Sequence, residues 1–318
     1  MEIGGYMSME TNSGKDFHEG ALKFNTGRNA LRILLQSRKY KRIFLPYFIC
    51  DSVVEACNYE HCEIIFYSID YTFKVKDGLL NFCKDTDCLY IVNYLGLITD
   101  ELIIDYKEKY KNIIVDNIQA FFVKPVPNID TIYSCRKYFG VPDGAYLFTD
   151  CCVCGDFLQD SSYERMRHIL GRYERCGEEF YKDYLQNEQL LEKLPIRYMS
   201  KLTSNIMGGI DYNICRKKRQ NNFAFLYDRI QRFNKLDLQR DNRGLFAFPL
   251  YINDGETKRL CLIEKKIFIP QYWKEVKDRV GKETVEYEFA TNILWLPCDQ
   301  RYNLDDMEYL IDEVKKII

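Results

Sequence analysis

An excess of either charge is missing from this sequence. Its 318 residues carry 45 basic and 47 acidic side chains, a net charge of -2, interspersed along the chain. The basic surplus of a general nucleic-acid or membrane-surface binder is therefore absent. Histidine is scarce, with 3 residues. Cysteine is not, at 13, but no second ligand pair follows the Cys151-Cys152-Val153-Cys154 cluster at zinc spacing. That excludes the common zinc frameworks, and the expectation is no metal site. The thiols read instead as reduced and mostly buried, as in a cytoplasmic protein. No stretch approaches the ~20 apolar residues of a membrane span, and Met1 to Tyr6 lacks the basic segment and apolar run of a secretory signal. Internal repeats and low-complexity linkers are missing too. So are a Gly-x-Gly-x-x-Gly and a P-loop, which argues against a plain nucleotide-binding fold. The expectation is a soluble, cytoplasmic protein with no nucleic-acid and no membrane partner.

What is present is core. Hydrophobic residues make up 47% and charged residues 29%, enough for one large domain with a smaller appendage, or for two. Residues 1–20 are mixed and turn-rich and read as an N-terminal arm. Thr26 is placed to cap a helix on which Ala30, Leu31, Leu34 and Leu35 recur at helical spacing. Apolar strands are predicted at Lys41–Pro46, Glu63–Tyr67, Asp87–Tyr94, Asn112–Asp116, Thr131–Tyr133 and Tyr146–Thr149. Helices are predicted near Cys50–Tyr59 and Glu101–Lys111. Strands separated by helices imply βαβ crossovers and a mostly parallel central sheet flanked by helices. From about Ser161 the pattern changes to charged helices at Arg165–Arg175, Tyr181–Leu194, Ile196–Gly208 and Asp211–Phe233. Strands at Leu245–Ile252 and Ile293–Leu296 and a final helix capped by Asn303 suggest a smaller C-terminal α+β domain. The expected division is 1–20 arm, 21–200 large α/β domain and 201–318 small domain.

In open α/β sheets, ligands collect outside the carboxyl ends of the strands. The residues at those ends are Tyr47 and Phe48, Asn93, Asp116 and Gln119, and Ser134 to Lys137. The last group lies in Asp130-Thr-Ile-Tyr-Ser-Cys-Arg-Lys-Tyr-Phe-Gly-Val-Pro-Asp-Gly-Ala145, a short strand that breaks into Gly- and Pro-rich backbone. A lysine held in such a cleft becomes a nucleophile when its ammonium is destabilised. Its commonest cofactor use is a Schiff base with pyridoxal 5'-phosphate. Each demand of that cofactor has a candidate here. Lys137 suits the aldehyde, Asp116 the pyridine nitrogen and Phe48 or Tyr47 a ring face. Gly27 and Arg28 at the helix start, with Ser134, suit the phosphate.

Gly27-Arg-Asn-Ala-Leu31, Leu45-Pro-Tyr-Phe48, Val115-Asp-Asn-Ile-Gln-Ala120 and Ser134-Cys-Arg-Lys-Tyr-Phe-Gly-Val-Pro-Asp-Gly144 together resemble the DegT/DnrJ/StrS family. Its members are PLP-dependent (fold type I) sugar aminotransferases. The resemblance covers residues 24–150 well and the rest loosely. By position it implies that Lys137 is catalytic, and that Gly27, Phe48, Asp116 and Gln119 bind the cofactor. Arg28 stands where the family has a hydroxyl residue and would meet phosphate by charge. Arg197-Tyr-Met-Ser200 resembles a stretch that reaches into the partner subunit's site, with Ile196 at its Asn position. The resemblance therefore implies the fold type I transferase architecture and a homodimer with a shared active site. It also implies transfer of an amino group from a donor such as glutamate to a keto acceptor, a nucleotide-linked keto sugar for surface polysaccharide synthesis. The alternative is a non-catalytic or regulatory paralogue of the same fold that binds PLP or a phosphorylated ligand.

Overall fold

The computed structural model describes residues 3–76 and 84–318; Met1 and Glu2 of the expected arm lie outside them. The chain begins with β1 (Leu22–Phe24), α1 (Gly27–Arg38), β2 (Arg42–Pro46), α2 (Asp51–Tyr59) and β3 (Glu63–Tyr67). Next come β4 (Asp87–Val92), α3 (Asp100–Tyr110), β5 (Ile113–Asp116), β6 (Asp130–Ser134) and β7 (Ala145–Phe148). A helical stretch holds α4 (Arg167–Glu174), α5 (Tyr181–Glu192), α6 (Lys201–Gly208) and α7 (Tyr212–Ile230). The chain ends with β8 (Phe248–Tyr251), α8 (Gly255–Glu264), α9 (Val276–Arg279), α10 (Val285–Asn292), β9 (Ile293–Leu296) and α11 (Leu304–Lys315).

The central sheet has seven strands in the order β1-β7-β6-β5-β4-β2-β3. From β3 to β6 every neighbouring pair is parallel, while β7 runs antiparallel to both β6 and β1. All six residues of β4 are buried, as a strand covered on both faces requires. After β2 the chain goes outward to β3, then returns to the other side of β2 as β4. The connections therefore diverge between β2 and β4, which opens a crevice at the carboxyl ends of the parallel strands. Pro46, Val92, Asp116 and Ser134 are the last residues of β2, β4, β5 and β6, so the loops that follow them meet at one edge.

The second sheet pairs β8 with β9, antiparallel. Both strands are wholly buried, and one hydrophobic core runs from Phe24 to Val314 through both parts. Asn303 caps α11 reciprocally with Asp306. Among the described residues, no helix is long and apolar enough to cross a membrane.

Three expectations are corrected. Residues 196–200 are extended rather than helical: Tyr198 bridges both Phe24 and Gln159, and Ser200 caps α6. Leu22–Phe24 forms an edge strand that was not anticipated, because its three residues are too few to show a period. Helices α8 and α10 were not anticipated. In α10, Val285-Glu-Tyr-Glu-Phe-Ala alternates apolar and polar residues like a strand, and only its packing makes it a helix.

Candidate active site

The turn after β5 is built around Asp116. Its carboxylate is buried. Oδ1 accepts the Ile118 N–H at 2.8 Å and Oδ2 accepts the Tyr90 hydroxyl at 2.8 Å. Burial pushes its pKa up to about 6; the two hydrogen bonds and the positive charge of Lys137 work against the rise. The hydroxyl of Tyr90 is pushed well up, first by burial and then by this carboxylate. The turn lies against the start of α1, because a Cβ on Gly27 would stand 3.3 Å from Ile118 Cδ1. Thr26 caps that helix through the Asn29 N–H. Among the described residues the Gly27 and Arg28 N–H groups have no acceptor, so both are free to meet an anion.

Lys137 sits in the turn after β6. C-terminal residues fix this turn: Arg219 and Gln300 donate to the Tyr138 carbonyl at 3.1 and 2.7 Å, and the Tyr138 hydroxyl donates to Gly244 O at 2.6 Å. The lysine is exposed by accessible surface, yet protein surrounds it closely enough to depress its pKa. Desolvation dominates, the Arg136 charge adds to it, and Cys50 and Asp116 oppose it. Exposure together with strong desolvation is what a side chain on the floor of an open cleft experiences. Among the described residues its amine has no hydrogen-bond or ion-pair partner; the Tyr272 ring centroid is 5.3 Å from Nζ. Asp116 and Lys137 thus feel each other's charge without touching.

The other expected residues divide. Ser134 is half-buried at the end of β6, beside Lys137 in the chain. Gln119 is buried and its Oε1 accepts the Leu95 N–H at 3.3 Å. Both ends of buried Asn93 are engaged within the protein, Nδ2 with Asn117 Oδ1 at 2.9 Å and Oδ1 with the Ile98 N–H at 3.0 Å. Arg28 pairs with Glu55 of α2 at 3.1 Å, and among the described residues its buried Nε has no partner. The Phe48 ring is placed elsewhere than expected. It is wholly buried between Trp273, Tyr94, Phe73 and Phe289, because the turn after β2 rotates it into the aromatic core. It therefore offers no face to a ligand ring. Tyr47 is partly exposed and stacks on Phe66. Arg197 lies 3.5 Å from Asp160.

Sequence reasoning missed three residues. Cys50 occupies the position before α2, in the same turn as Phe48, with its Sγ 2.9 Å from Ser52 Oγ. Its thiol is pushed up first by desolvation, and it feels both Asp116 and Lys137. Arg136, next to the lysine, pairs with Glu188 of α5, and desolvation lowers its pKa to about 10. Tyr272 comes from a segment distant in sequence that packs on Trp295, Phe246 and Trp273. Nothing in the spacing of the chain pointed to it. The segment is latched over the β2 turn, where Arg279 donates to Ile49 O at 2.7 Å and also bonds Asp51. A cavity of about 570 Å³ lined by Asn253, Asp254, Glu256, Thr257, Thr291 and Asn292 includes none of these residues. Asp116 ends β5, Lys137 lies in the turn after β6, and Gly27 opens α1. Among the described residues no cluster of His, Cys, Asp and Glu is arranged to hold a metal ion.

No protein-family model matches the sequence, and no curated protein matches it. Solved structures do match it. A DegT DnrJ EryC1 StrS aminotransferase from Brucella abortus superposes with a TM-score of 0.65 at 15% identity, covering 94% of this chain and 86% of that one. The ntda protein from Bacillus subtilis, solved with bound cofactor PMP, gives 0.67 at 14% identity over 93% and 72%. The sugar aminotransferase CalS13 from Micromonospora echinospora gives 0.63 at 13% identity over 94% and 87%. The fold of this chain is the fold of these proteins.

Proposed function

We propose that this chain is a PLP-dependent aminotransferase. The observation that carries the reading is a buried, hydrogen-bonded carboxylate within charge range of a free lysine at the ends of neighbouring parallel strands. The residues present fit pyridoxal 5'-phosphate. Asp116 would hold its ring nitrogen, and the first N–H groups of α1 with Ser134 would hold its phosphate. Lys137 would hold its aldehyde carbon. When bound, the cofactor supplies an electrophilic carbon and an electron-withdrawing ring.

The remaining work falls to the chain. Tyr90 and the Ile118 N–H keep Asp116 oriented as an acceptor. Burial and Arg136 lower the proton affinity of Lys137, which suits its amine to take up and return a proton. The Tyr272 ring stands near that amine, its centroid 5.3 Å from Nζ. The donor would be an amino acid such as glutamate and the acceptor a keto sugar, nucleotide-linked and destined for surface polysaccharide; the sugar aminotransferase among the neighbours supports this choice. A homodimer with a shared site belongs to the same reading. Leu158, Tyr163, Leu170, Tyr173, Leu185 and Leu190 expose large apolar side chains over 158–190, as a face covered by a second copy would.

Adding pyridoxal 5'-phosphate to the purified protein should produce a visible absorption band that Lys137→Ala lacks and that an amino donor changes. A wild-type protein with no such band would overturn the reading. A band that no donor changes would favour the second reading, a cofactor-binding paralogue without turnover. That reading is supported by Arg28, whose charge is already matched by Glu55.

A further inference from the structure

The segment after β7 carries three of the cysteines, and their arrangement is not random. Cys151 and Val153 are partly buried and pack on the core, while Cys152 and Cys154 are exposed. This in-out-in-out alternation is that of extended backbone, in which residues two apart share a face. Cys151 is held inward, its Sγ 3.1 Å from Thr149 Oγ1 and its N–H donating to the same oxygen at 3.2 Å. The two outward thiols stand side by side, with their sulfurs 3.7 Å apart.

We propose that Cys152 and Cys154 form a reversible dithiol modification site, oxidised by peroxides to an internal disulfide. The sulfurs need only close from 3.7 Å to about 2.05 Å. Both side chains are exposed, so the rotation disturbs no core contact. In the first step one thiolate attacks hydrogen peroxide; the O–O bond breaks, a sulfenic acid forms, and hydroxide leaves as water after taking a proton. In the second step the neighbouring thiol attacks that sulfur and expels the second water. The dithiol loses two electrons and two protons, and the peroxide is reduced to two waters. The Cys152 thiol is pushed up by its hydrogen bond to Cys154, so the reaction should quicken as pH rises above neutrality. A ring closed over so few residues is easily reduced again, which places it among labile rather than structural disulfides.

The site owes nothing to the aminotransferase reading. Arg38, the last residue of α1, bonds both Asp130 at the start of β6 and Asp150 beside the cysteines. Lys137 lies beyond the other end of β6.

The test is peroxide treatment of the reduced, full-length chain, followed by non-reducing digestion and mass spectrometry. The peptide spanning 151–154 should lose about 2 Da and regain it with dithiothreitol. Cys176 and Cys261, exposed and without a thiol partner among the described residues, should gain oxygen instead and serve as internal controls. In Cys152→Ser the loss should vanish and Cys154 should gain oxygen. Oxygen gain at Cys152 and Cys154 in the parent protein would overturn the proposal. So would an internal link that persists in Cys152→Ser, because Cys151 would then be the partner.

Discussion

Asp116→Asn tests the electrostatics of the cleft with little change of shape. The folded carboxyl has a pKa of about 6, against roughly 3.9 in an unfolded chain. The folded protein therefore holds this proton more tightly than the unfolded chain does. The stabilising contribution of the group is full below about pH 4 and is lost as pH rises through 6. A difference of roughly 2 units corresponds to roughly 3 kcal/mol, which is what the fold forgoes at neutral pH to keep an ionised carboxylate there. Asparagine has no charge to desolvate, but its amide nitrogen replaces one of two accepting oxygens. Either Tyr90 or the Ile118 N–H then loses its acceptor, at a cost of about 1–3 kcal/mol. The two changes nearly offset each other at neutral pH, and only the loss remains in acid. Denaturant unfolding of parent and variant without cofactor, across the acid-to-neutral range, gives a difference curve in which other titrating groups cancel. Stability of the variant relative to the parent should rise by roughly 2 kcal/mol from about pH 4 to about pH 7. A flat difference curve would refute the raised pKa, and with it the claim that burial primes this carboxylate.

Other perturbations have clear directions. Arg219→Met should cost about 3–5 kcal/mol in denaturant unfolding, because buried Arg219 serves Leu245 O, Tyr138 O and Gln300; a loss below about 1 kcal/mol would show that water replaces it. Gly96→Ala should cost more than about 2 kcal/mol, since Gly96 has φ +72° and a Cβ there would lie 2.4 Å from Gly244 N. Asn303→Ala removes the side-chain oxygen that accepts the Asp305 and Asp306 N–H groups of α11 while leaving the Asn303 N–H bonded to Asp306, and should lower stability by about 1 kcal/mol, with little effect on cofactor binding. Leu170→Asp with Tyr173→Asp should give a monomer by light scattering if 158–190 is the dimer face; an unchanged mass would move the interface elsewhere.

How much was legible follows from the range of each signal. Thr26 as a cap, the apolar run of β4 and the periodicity of α1 are local, and each was readable from a few neighbouring residues. Asp116 and Lys137 were readable as strand-end residues because strand period and crossover order place every carboxyl end on one edge. The burial of Phe48 was not, since the four rings that enclose it come from residues 73, 94, 273 and 289.

By itself the sequence determined the α/β alternation, the order of the strand ends and the strand-end positions of Asp116 and Lys137, because these depend on neighbours along the chain. Tertiary structure alone decided which aromatic ring meets the lysine, that Cys50 and Arg136 belong to the cleft, and that Arg28 is paired with Glu55. Desolvation and charge act through space: Cys50, whose charge bears on Lys137, is far from it along the chain.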